Sequence, residues 1–286
     1  MREWGTGTGQ SGRRGSPPEF TFTPRRGRGN GPTGRRAPAS HRRRLPALLL
    51  AATALLLPAA CAPPDAGRPD PDLRGFVRLT AAEDARPAGG AELAVLERGT
   101  RSARPFLRRV AVRGLGRLED PRHTPSIAPL LDDPEPRVRA QAADALAHAH
   151  HRTGGAPALP RLLERAEREQ DHGAAAAVAR ALGRLRLDGA AARRAERALV
   201  ALSRGEDGDD APPRRMVGVA LGLETLARRR GPEGGSAALR ARLRQLTAYD
   251  RGGEAAIRVP TLAFLALAAT GGVAPEVAAR GMAHPA

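Results

Sequence analysis

The chain has 286 residues, with 47 Arg, no Lys and 30 acidic residues, which gives a net charge of +17. A single cysteine excludes an internal disulfide, and an aromatic content of 2% disfavours β-strands. The abundance of Ala, Arg, Gly and Pro is typical of a GC-rich genome, so part of the basic charge reflects codon usage. Residues 1–60 hold 11 of the arginines against two Glu, which leaves the rest of the chain only moderately basic.

Residues 1–40 are rich in Arg, Gly and Pro and contain almost nothing to bury. Such a segment cannot offset the entropy of ordering, so we predict that it is disordered. Its Arg-Gly tracts, with Phe20 and Phe22 nearby, also fit binding to single-stranded nucleic acid. We do not favour a nucleic-acid partner, because a tail in front of an export signal stays in the cytoplasm or is removed.

Residues 41–61 have the order of an export signal. Arginines precede an apolar run over residues 45–60, and two alanines come just before Cys61. This order resembles a bacterial lipoprotein signal peptide, and the resemblance implies that Cys61 is the lipidation site. An uncleaved membrane anchor is the alternative, because residues 45–62 reach the lower limit of ~17 residues for spanning a bilayer. Both interpretations predict that the folded part is exported and membrane-anchored in the cell envelope, on the periplasmic or extracellular face.

Residues 62–72 join this signal to the folded part of the chain. Proline recurs in this segment among Asp, Ala, Gly and Arg, which predicts a solvated tether of polyproline-like stiffness. Such a tether holds a domain away from the membrane surface. We therefore assign residues 73–286 to the folded domain.

Apolar and small residues then repeat with the period of an α-helix. The first copy, with the spacing i, i+4, i+7, i+8 and i+11, consists of Leu107, Ala111, Gly114, Leu115 and Leu118. The aligned leucines of this copy and four later ones are Leu115, Leu146, Leu182, Leu223 and Leu267. They follow each other at steps of 31, 36, 41 and 44 residues, and each step is the length of a helix pair.

Each of these helices is followed by a turn and a second amphipathic segment. Residues 127–131 match residues 159–163, and weaker copies lie at residues 195–202 and 239–246. Thr124, followed by proline, is a predicted N-cap for the first of these segments. No segment alternates apolar and polar residues as a strand does. We therefore predict an all-α domain of about five helix pairs.

The best-defined copy covers residues 132–146. It contains, in order, Asp133-Pro134, Val138-Arg139, Ala142-Ala143 and Ala145-Leu146, and Leu-Gly recurs at residues 115–116 and 182–183. These motifs resemble HEAT repeats, in particular the shorter HEAT-like repeats named after phycobilisome lyases. The resemblance is strongest over residues 103–203 and implies an α-solenoid whose second helices line a concave surface. It implies no common catalytic residue, because the repeat is a packing unit.

The second helices carry many arginines. Placed as the resemblance implies, these side chains would form a basic surface for a protein or peptide partner of acidic character. The residues of this predicted basic surface are Arg161, Arg165, Arg193, Arg194, Arg197, Arg240, Arg242 and Arg244. The competing interpretation is ordinary surface exposure of arginines whose number reflects codon bias.

One cluster has the spacing of metal ligands. Asp144, His148 and His151 lie at i, i+4 and i+7 and therefore share one helix face. We favour a different explanation, since histidines in a last helical turn interact favourably with the helix dipole and face solvent. The sequence also lacks Gly-x-Ser-x-Gly, His-Glu-x-x-His and a phosphate-binding glycine loop. We predict no metal site, no cofactor and no catalytic activity.

Two classes of function remain. The favoured one is a membrane-tethered extracytoplasmic scaffold that binds a protein or peptide through its helical-repeat surface. The alternative is the recognition portion of an envelope enzyme, because envelope proteins that resemble this one join HEAT-like repeats to a cyclophilin-type peptidyl-prolyl isomerase domain. That domain would be fused downstream in a longer gene product. The absence of strand alternation in residues 73–286 favours the scaffold.

Overall fold

The computed structural model describes residues 70–205 and 207–273. These residues belong to one compact unit, Asp65–Ala286. The predicted leader, the export signal with Cys61, and most of the tether lie outside the described residues. In the described part there is no β-strand, and a single β-bridge joins Arg204 to Asp210.

Eleven α-helices and two 3-10 segments make up this part of the chain. The α-helices are α1 (Pro71–Asp84), α2 (Gly90–Gly99), α3 (Pro105–Arg117), α4 (Thr124–Ile127), α5 (Pro136–Ala149), α6 (Leu159–Arg168), α7 (His172–Arg184), α8 (Gly189–Leu202), α9 (Pro213–Arg230), α10 (Ala237–Leu246) and α11 (Glu254–Ala269). The 3-10 segments are Pro121–His123 and Ala128–Asp132.

The helices are arranged in two layers. The first layer contains α1, α3, α5, α7, α9 and α11, and each of them packs against the next. The second layer contains α2, the short α4 with the 3-10 segment that follows it, α6, α8 and α10, which pack against neighbouring helices of the first layer. The residues described by the structure thus form five helix pairs followed by α11. The prediction of an all-α solenoid is confirmed.

The predicted leucine stripe forms the core. All five aligned leucines are at most 2% exposed, and they belong to one hydrophobic cluster that runs from α1 to α11. Burial of a leucine side chain contributes about 1.5–3 kcal/mol, so the repeating stripe is the main stabilising feature of the layer contact. The spacing read from the sequence therefore identifies the buried face of each first-layer helix correctly.

Glycine in the recurring Leu-Gly motif allows the first-layer helices to approach closely. A Cβ atom on Gly183 would lie 2.3 Å from the carbonyl oxygen of Gly222 and 2.6 Å from its Cα. A Cβ atom on Gly116 would lie 2.6 Å from the Cα of Ala145. No side chain fits at such distances, so the α3/α5 and α7/α9 contacts require glycine despite its helix cost of about 1 kcal/mol.

Two arginines at equivalent positions link the N-terminal turns of α3, α5 and α7. Arg108 donates to both carboxylate oxygens of Asp133, at 2.6 and 2.7 Å, and to the carbonyl oxygen of Ser102 at 2.9 Å. Arg139 donates to both carboxylate oxygens of Glu169, at 2.8 and 2.7 Å, and to the carbonyl oxygen of Asp133 at 2.9 Å. We call Arg108, Asp133, Arg139 and Glu169 the arginine ladder. Its bidentate geometry gives strong, orientation-specific hydrogen bonds.

Residues 127–131 do not form the continuous second helix that their similarity to residues 159–163 predicted. α4 ends at Ile127, and the chain continues as a 3-10 segment. Pro129 explains the difference, because it has no N–H to donate to an α-helical hydrogen bond and its ring crowds the preceding turn. In α6, by contrast, Pro160 lies in the first turn, where its missing N–H costs nothing.

The first residues of two helices also differ from the prediction. Thr124 is not an N-cap: it is the first residue of α4, and its Oγ1 lies 2.9 Å from Nε2 of His150. α1 begins at Pro71, inside the predicted tether, because Asp70 caps it by accepting a hydrogen bond from the Asp72 N–H at 2.8 Å.

Candidate functional site

Most buried carboxylates in this part of the chain are paired with arginines from a neighbouring helix. Glu83 of α1 accepts hydrogen bonds from Arg113 at 2.6 Å and from Arg117 at 2.8 Å. Burial by itself would raise the pKa of Glu83, but these two guanidinium groups outweigh it and hold the pKa below its ordinary value. Glu196 of α8 is paired in the same way with Arg230. Such arginines are structural, so a partner surface must be sought among the others.

Arg161 and Arg165 of the predicted basic surface are occupied by local carboxylates. Arg161 donates to Asp132 Oδ2 at 2.7 Å and to Glu164 Oε2 at 2.6 Å. Arg165 forms an ion pair with Glu169, with Nε 3.1 Å from Oε2. Carboxylates of the same and of the preceding repeat therefore balance the charge of these two α6 arginines.

Arg242 does not belong to an exposed surface, which corrects that part of the prediction. The residue is 7% exposed and donates to Ser203 Oγ at 2.7 Å, to the Ser203 carbonyl oxygen at 2.8 Å and to Asp210 Oδ1 at 2.6 Å. These bonds tie the loop after α8 to α10. Arg240 also makes an internal bond, from Nε to the carbonyl oxygen of Thr270 at 3.1 Å.

The other four predicted arginines face solvent. Arg193, Arg194 and Arg197 lie on α8 and Arg244 lies on α10, and all four are exposed. Within residues 70–205 and 207–273, none of their guanidinium groups makes a hydrogen bond or ion pair. The predicted basic surface is thus reduced to α8 and one residue of α10, and three of the four form a group on α8.

A groove lies between α6 and α8, beside two of these arginines. Its volume is about 490 Å³. We call it the α6–α8 groove, and its lining consists of Leu163, Ala166, Glu167, Arg194, Arg197, Ala198, Ala201, Leu202 and Arg215. The floor is apolar, since Ala166 and Leu202 are buried, while three arginines and one glutamate supply the polar groups. A cleft that combines buried apolar side chains with charged groups can hold a ligand in one orientation.

Arg215 is a lining residue to which the sequence did not point. It lies in the first turn of α9, which is a helix of the first layer, whereas the basic surface was predicted on second-layer helices alone. α9 packs against α8, and this contact brings the beginning of α9 to the groove. The run Arg214-Arg215 is visible in the sequence, but its place beside the groove depends on the length of the loop after α8.

The histidine cluster has a structural explanation. The Asp144 carboxylate accepts hydrogen bonds from Arg180 at 3.1 Å and from Arg184 at 3.2 Å, which links α5 to α7. Partial burial lowers the pKa of His148, and the nearby positive charge of Arg184 lowers it further. Among the described residues, no group of three or more His, Cys, Asp or Glu side chains is placed to hold a metal ion.

The fold and the groove together define an all-α helical-repeat protein with a surface suited to binding other molecules. Residues 93–183 match the family model described as HEAT repeats. This matched segment is similar to HEAT repeats; it runs from α2 almost to the end of α7 and contains the whole arginine ladder. HEAT repeats commonly mediate protein interactions and are generally non-catalytic.

No curated protein matches the chain. Across residues 70–205 and 207–273, none of the helices combines the length and the apolar character that a membrane span requires.

Proposed function

We propose that this protein is a membrane-tethered scaffold of the cell envelope that binds an acidic segment of a protein or peptide partner in the α6–α8 groove. The observation that carries the proposal is the combination of an apolar floor with Arg194 and Arg197, two exposed guanidinium groups without a partner in the described part of the chain. Repeats of this family supply a binding surface. The proposal assigns no catalysis to the chain itself.

The chemistry of the groove specifies its partner. Its volume of about 490 Å³ is that of a small-ligand pocket, which accommodates a few side chains of a bound segment. Small apolar side chains would cover the floor between Leu163 and Leu202, and Asp or Glu on either side would pair with Arg194 and Arg197. Guanidinium–carboxylate pairs at a groove rim mainly increase the association rate and the specificity, so binding should weaken as salt is added.

The proposed location depends on the segment before the solenoid. Support comes from the order of arginines, apolar run, small residues and Cys61, followed by a proline-rich tether. We propose that the Cys61 thiol carries a lipid and that the solenoid stands on the outer side of the membrane. A short tether would keep the groove near the membrane and restrict its partners to other proteins of the envelope.

Proximity labelling from the anchored protein tests the binding function. The wild type should label a reproducible set of envelope proteins, and the charge reversal Arg194→Glu with Arg197→Glu should remove at least one acidic protein from that set. Arg193→Glu is the matched control, because Arg193 is an exposed arginine of the same helix that does not line the groove. Arg215 stays unchanged, since it makes other contacts in the protein. Identical sets from all three proteins would contradict the proposal.

Labelling of cells with a clickable fatty acid tests the anchoring independently. The wild type should incorporate the label and Cys61→Ser should not. Incorporation by both proteins would show that lipid is attached elsewhere. No incorporation by either, with the protein still in the membrane fraction, would favour the uncleaved anchor.

A further inference from the structure

A second cavity, of about 480 Å³, lies between the α7–α8 loop, the first turn of α8 and the end of α9. We call it the α7–α9 cavity. Three guanidinium groups line it, from Arg186 in the loop and from Arg229 and Arg230 in the last turn of α9. The one acidic residue in its lining is Asp188. The cavity shares no lining residue with the α6–α8 groove.

Arg229 is held in place by one end of its guanidinium group. Its Nη1 donates to the carbonyl oxygen of Arg184 and lies 3.5 Å from that of Gly183, at the C-terminal end of α7. In the described part of the chain, its Nε and Nη2 atoms have no protein acceptor. A fixed guanidinium group with free N–H groups is preorganised to bind an oxyanion.

The positive charge around this cavity is only partly neutralised. Arg230 is paired with Glu196 of α8, and the adjacent Arg228 is paired with Glu224. Arg186 is exposed and has no ion pair within residues 70–205 and 207–273. Burial lowers the pKa of Arg229, and the positive charges of Arg186, Arg184 and Arg228 lower it further. An anion in the cavity would relieve this repulsion.

The first turn of α8 adds a second kind of anion donor. Gly189, its first residue, lines the cavity. Asp188 is at the N-cap position, and its carbonyl oxygen accepts hydrogen bonds from the N–H groups of Ala191 and Ala192. Its side chain makes no capping hydrogen bond, so the N–H groups of Gly189 and Ala190 have no acceptor in the described part of the chain. Free N–H groups at the start of a helix favour phosphate. The Asp188 carboxylate opposes an anion and therefore limits the affinity of the site.

We propose that the α7–α9 cavity binds a phosphate group, with Arg186 and Arg229 as its guanidinium ligands and the first turn of α8 as its N–H donor. The phosphate belongs either to a small soluble molecule or to the headgroup of an acidic phospholipid. The cavity has room for more than the phosphate itself, since about 480 Å³ also accommodates the group that carries it. This site is independent of the proposed peptide groove.

Titration calorimetry and vesicle flotation of the full chain test the proposal. The soluble probes are inorganic phosphate and pyrophosphate, and the lipid probes are phosphatidylglycerol vesicles with phosphatidylcholine vesicles as the neutral reference. Ionic strength is kept constant, because the basic leader attracts any anion. The variants are Arg186→Gln and Asp188→Asn, both on exposed residues, and Arg193→Gln is the control on α8 outside the cavity. Circular dichroism verifies that all of them fold.

The two variants in the cavity should change the binding affinity in opposite directions. Arg186→Gln should weaken binding about tenfold, Asp188→Asn should strengthen it several-fold, and Arg193→Gln should leave it unchanged. This pattern with soluble phosphate or pyrophosphate would assign the site to a soluble ligand. The same pattern with phosphatidylglycerol vesicles alone would assign it to a lipid headgroup. The proposal is overturned if no probe binds, or if binding does not respond to Arg186→Gln and Asp188→Asn.

Discussion

The two halves of the described solenoid use the same layered packing with different polar contacts. From α3 to α7 the arginine ladder repeats one arrangement, in which an arginine binds the carboxylate of the next repeat. From α8 to α11 the ladder is missing, and Arg230 and Arg242 form separate links of different geometry. The leucine stripe nevertheless continues, since Leu223 and Leu267 are buried in the same core. Continuity of the apolar core is therefore sufficient to extend the layers beyond the regular repeats.

Both candidate binding sites lie where the regular repeats end. The α6–α8 groove has one wall inside the matched region 93–183 and one outside it, and the α7–α9 cavity begins just after it. In the regular part, some arginines are paired with carboxylates beside the turns, as Arg161 is with Asp132. Others, such as Arg109 and Arg137, are exposed and have no ion pair in the described part of the chain. The arginines of the two candidate sites therefore differ from these in their position beside a groove or cavity.

The largest expected loss of stability comes from a substitution in the arginine ladder. Arg139→Met would remove the bidentate partner of the Glu169 carboxylate, whose side chain is fully buried, and leave it paired with Arg165 alone. Loss of one member of a buried ion pair costs about 3–5 kcal/mol, and because Arg165 stays in place we expect urea unfolding to show a loss at the lower end of this range. Glu169→Met combined with Arg139→Met should recover much of the loss. A single variant as stable as the wild type would show that the ladder does not stabilise the regular half.

The second-largest loss of stability is expected at the α7/α9 contact, where the two halves meet. Gly183→Ala places a Cβ against the backbone of Gly222, which cannot move aside as a side chain would. We expect a loss of about 2–3 kcal/mol in the free energy of unfolding. Gly89→Ala is the control, because its Cβ would meet no atom within 4 Å. Equal effects of the two substitutions would contradict the close α7/α9 contact.

Arg242 should contribute less than Arg139. Its partner Asp210 has a side chain that is 28% exposed, so water can solvate that carboxylate when the guanidinium group is removed. We expect Arg242→Met to cost about 1–2 kcal/mol in urea unfolding. A loss equal to that of Arg139→Met would remove the distinction between a repeating ladder and a single link.

The smallest expected effect is a pH dependence in α5. The folded-state pKa of His148 lies below 6.5, its ordinary value, because of partial burial and Arg184. Asp144 and Glu119 raise this pKa and His151 lowers it, but the net shift is downward. The unfolded chain therefore takes up the proton first, so stability is constant above about pH 6.5 and falls as the pH decreases through the folded-state pKa.

Urea unfolding at about pH 7.5 and about pH 5.5 measures this dependence. The loss of stability between the two pH values should be smaller in His148→Gln than in the wild type. An unchanged loss would mean that the titration of His148 is not coupled to folding.

The sequence predicted the fold well because its main signal is local. The spacing from Leu107 to Leu118 is enough to define a helix face, and the same spacing at residues 259–270 ends in Thr270, which is 1% exposed. The break at Pro129 could have been recognised from the same local chemistry. The presence of the helices and their buried faces thus followed from the sequence. Two helix boundaries, and the interrupted second helix at residues 127–131, did not.

The candidate site was only partly predictable because it depends on contacts between distant residues. Arg161 and Arg194 have similar surroundings in the sequence, but only Arg161 meets a carboxylate from the preceding repeat. The burial of Arg242 depends in the same way on the loop that contains Ser203. The repeat length varies from 31 to 44 residues, and this variation shifts the partners. The spacing of apolar residues along a helix does not predict such contacts between repeats.

The most direct test of the scaffold function is photocrosslinking from inside the groove. A photoreactive amino acid at position 201 would replace an exposed alanine of the groove lining, and the same group at position 193 would lie on α8 outside the groove. We predict that living cells form a discrete crosslink from position 201, to an acidic segment of an envelope protein, and none from position 193. No adduct from position 201, or the same adduct from both positions, would contradict the proposed function.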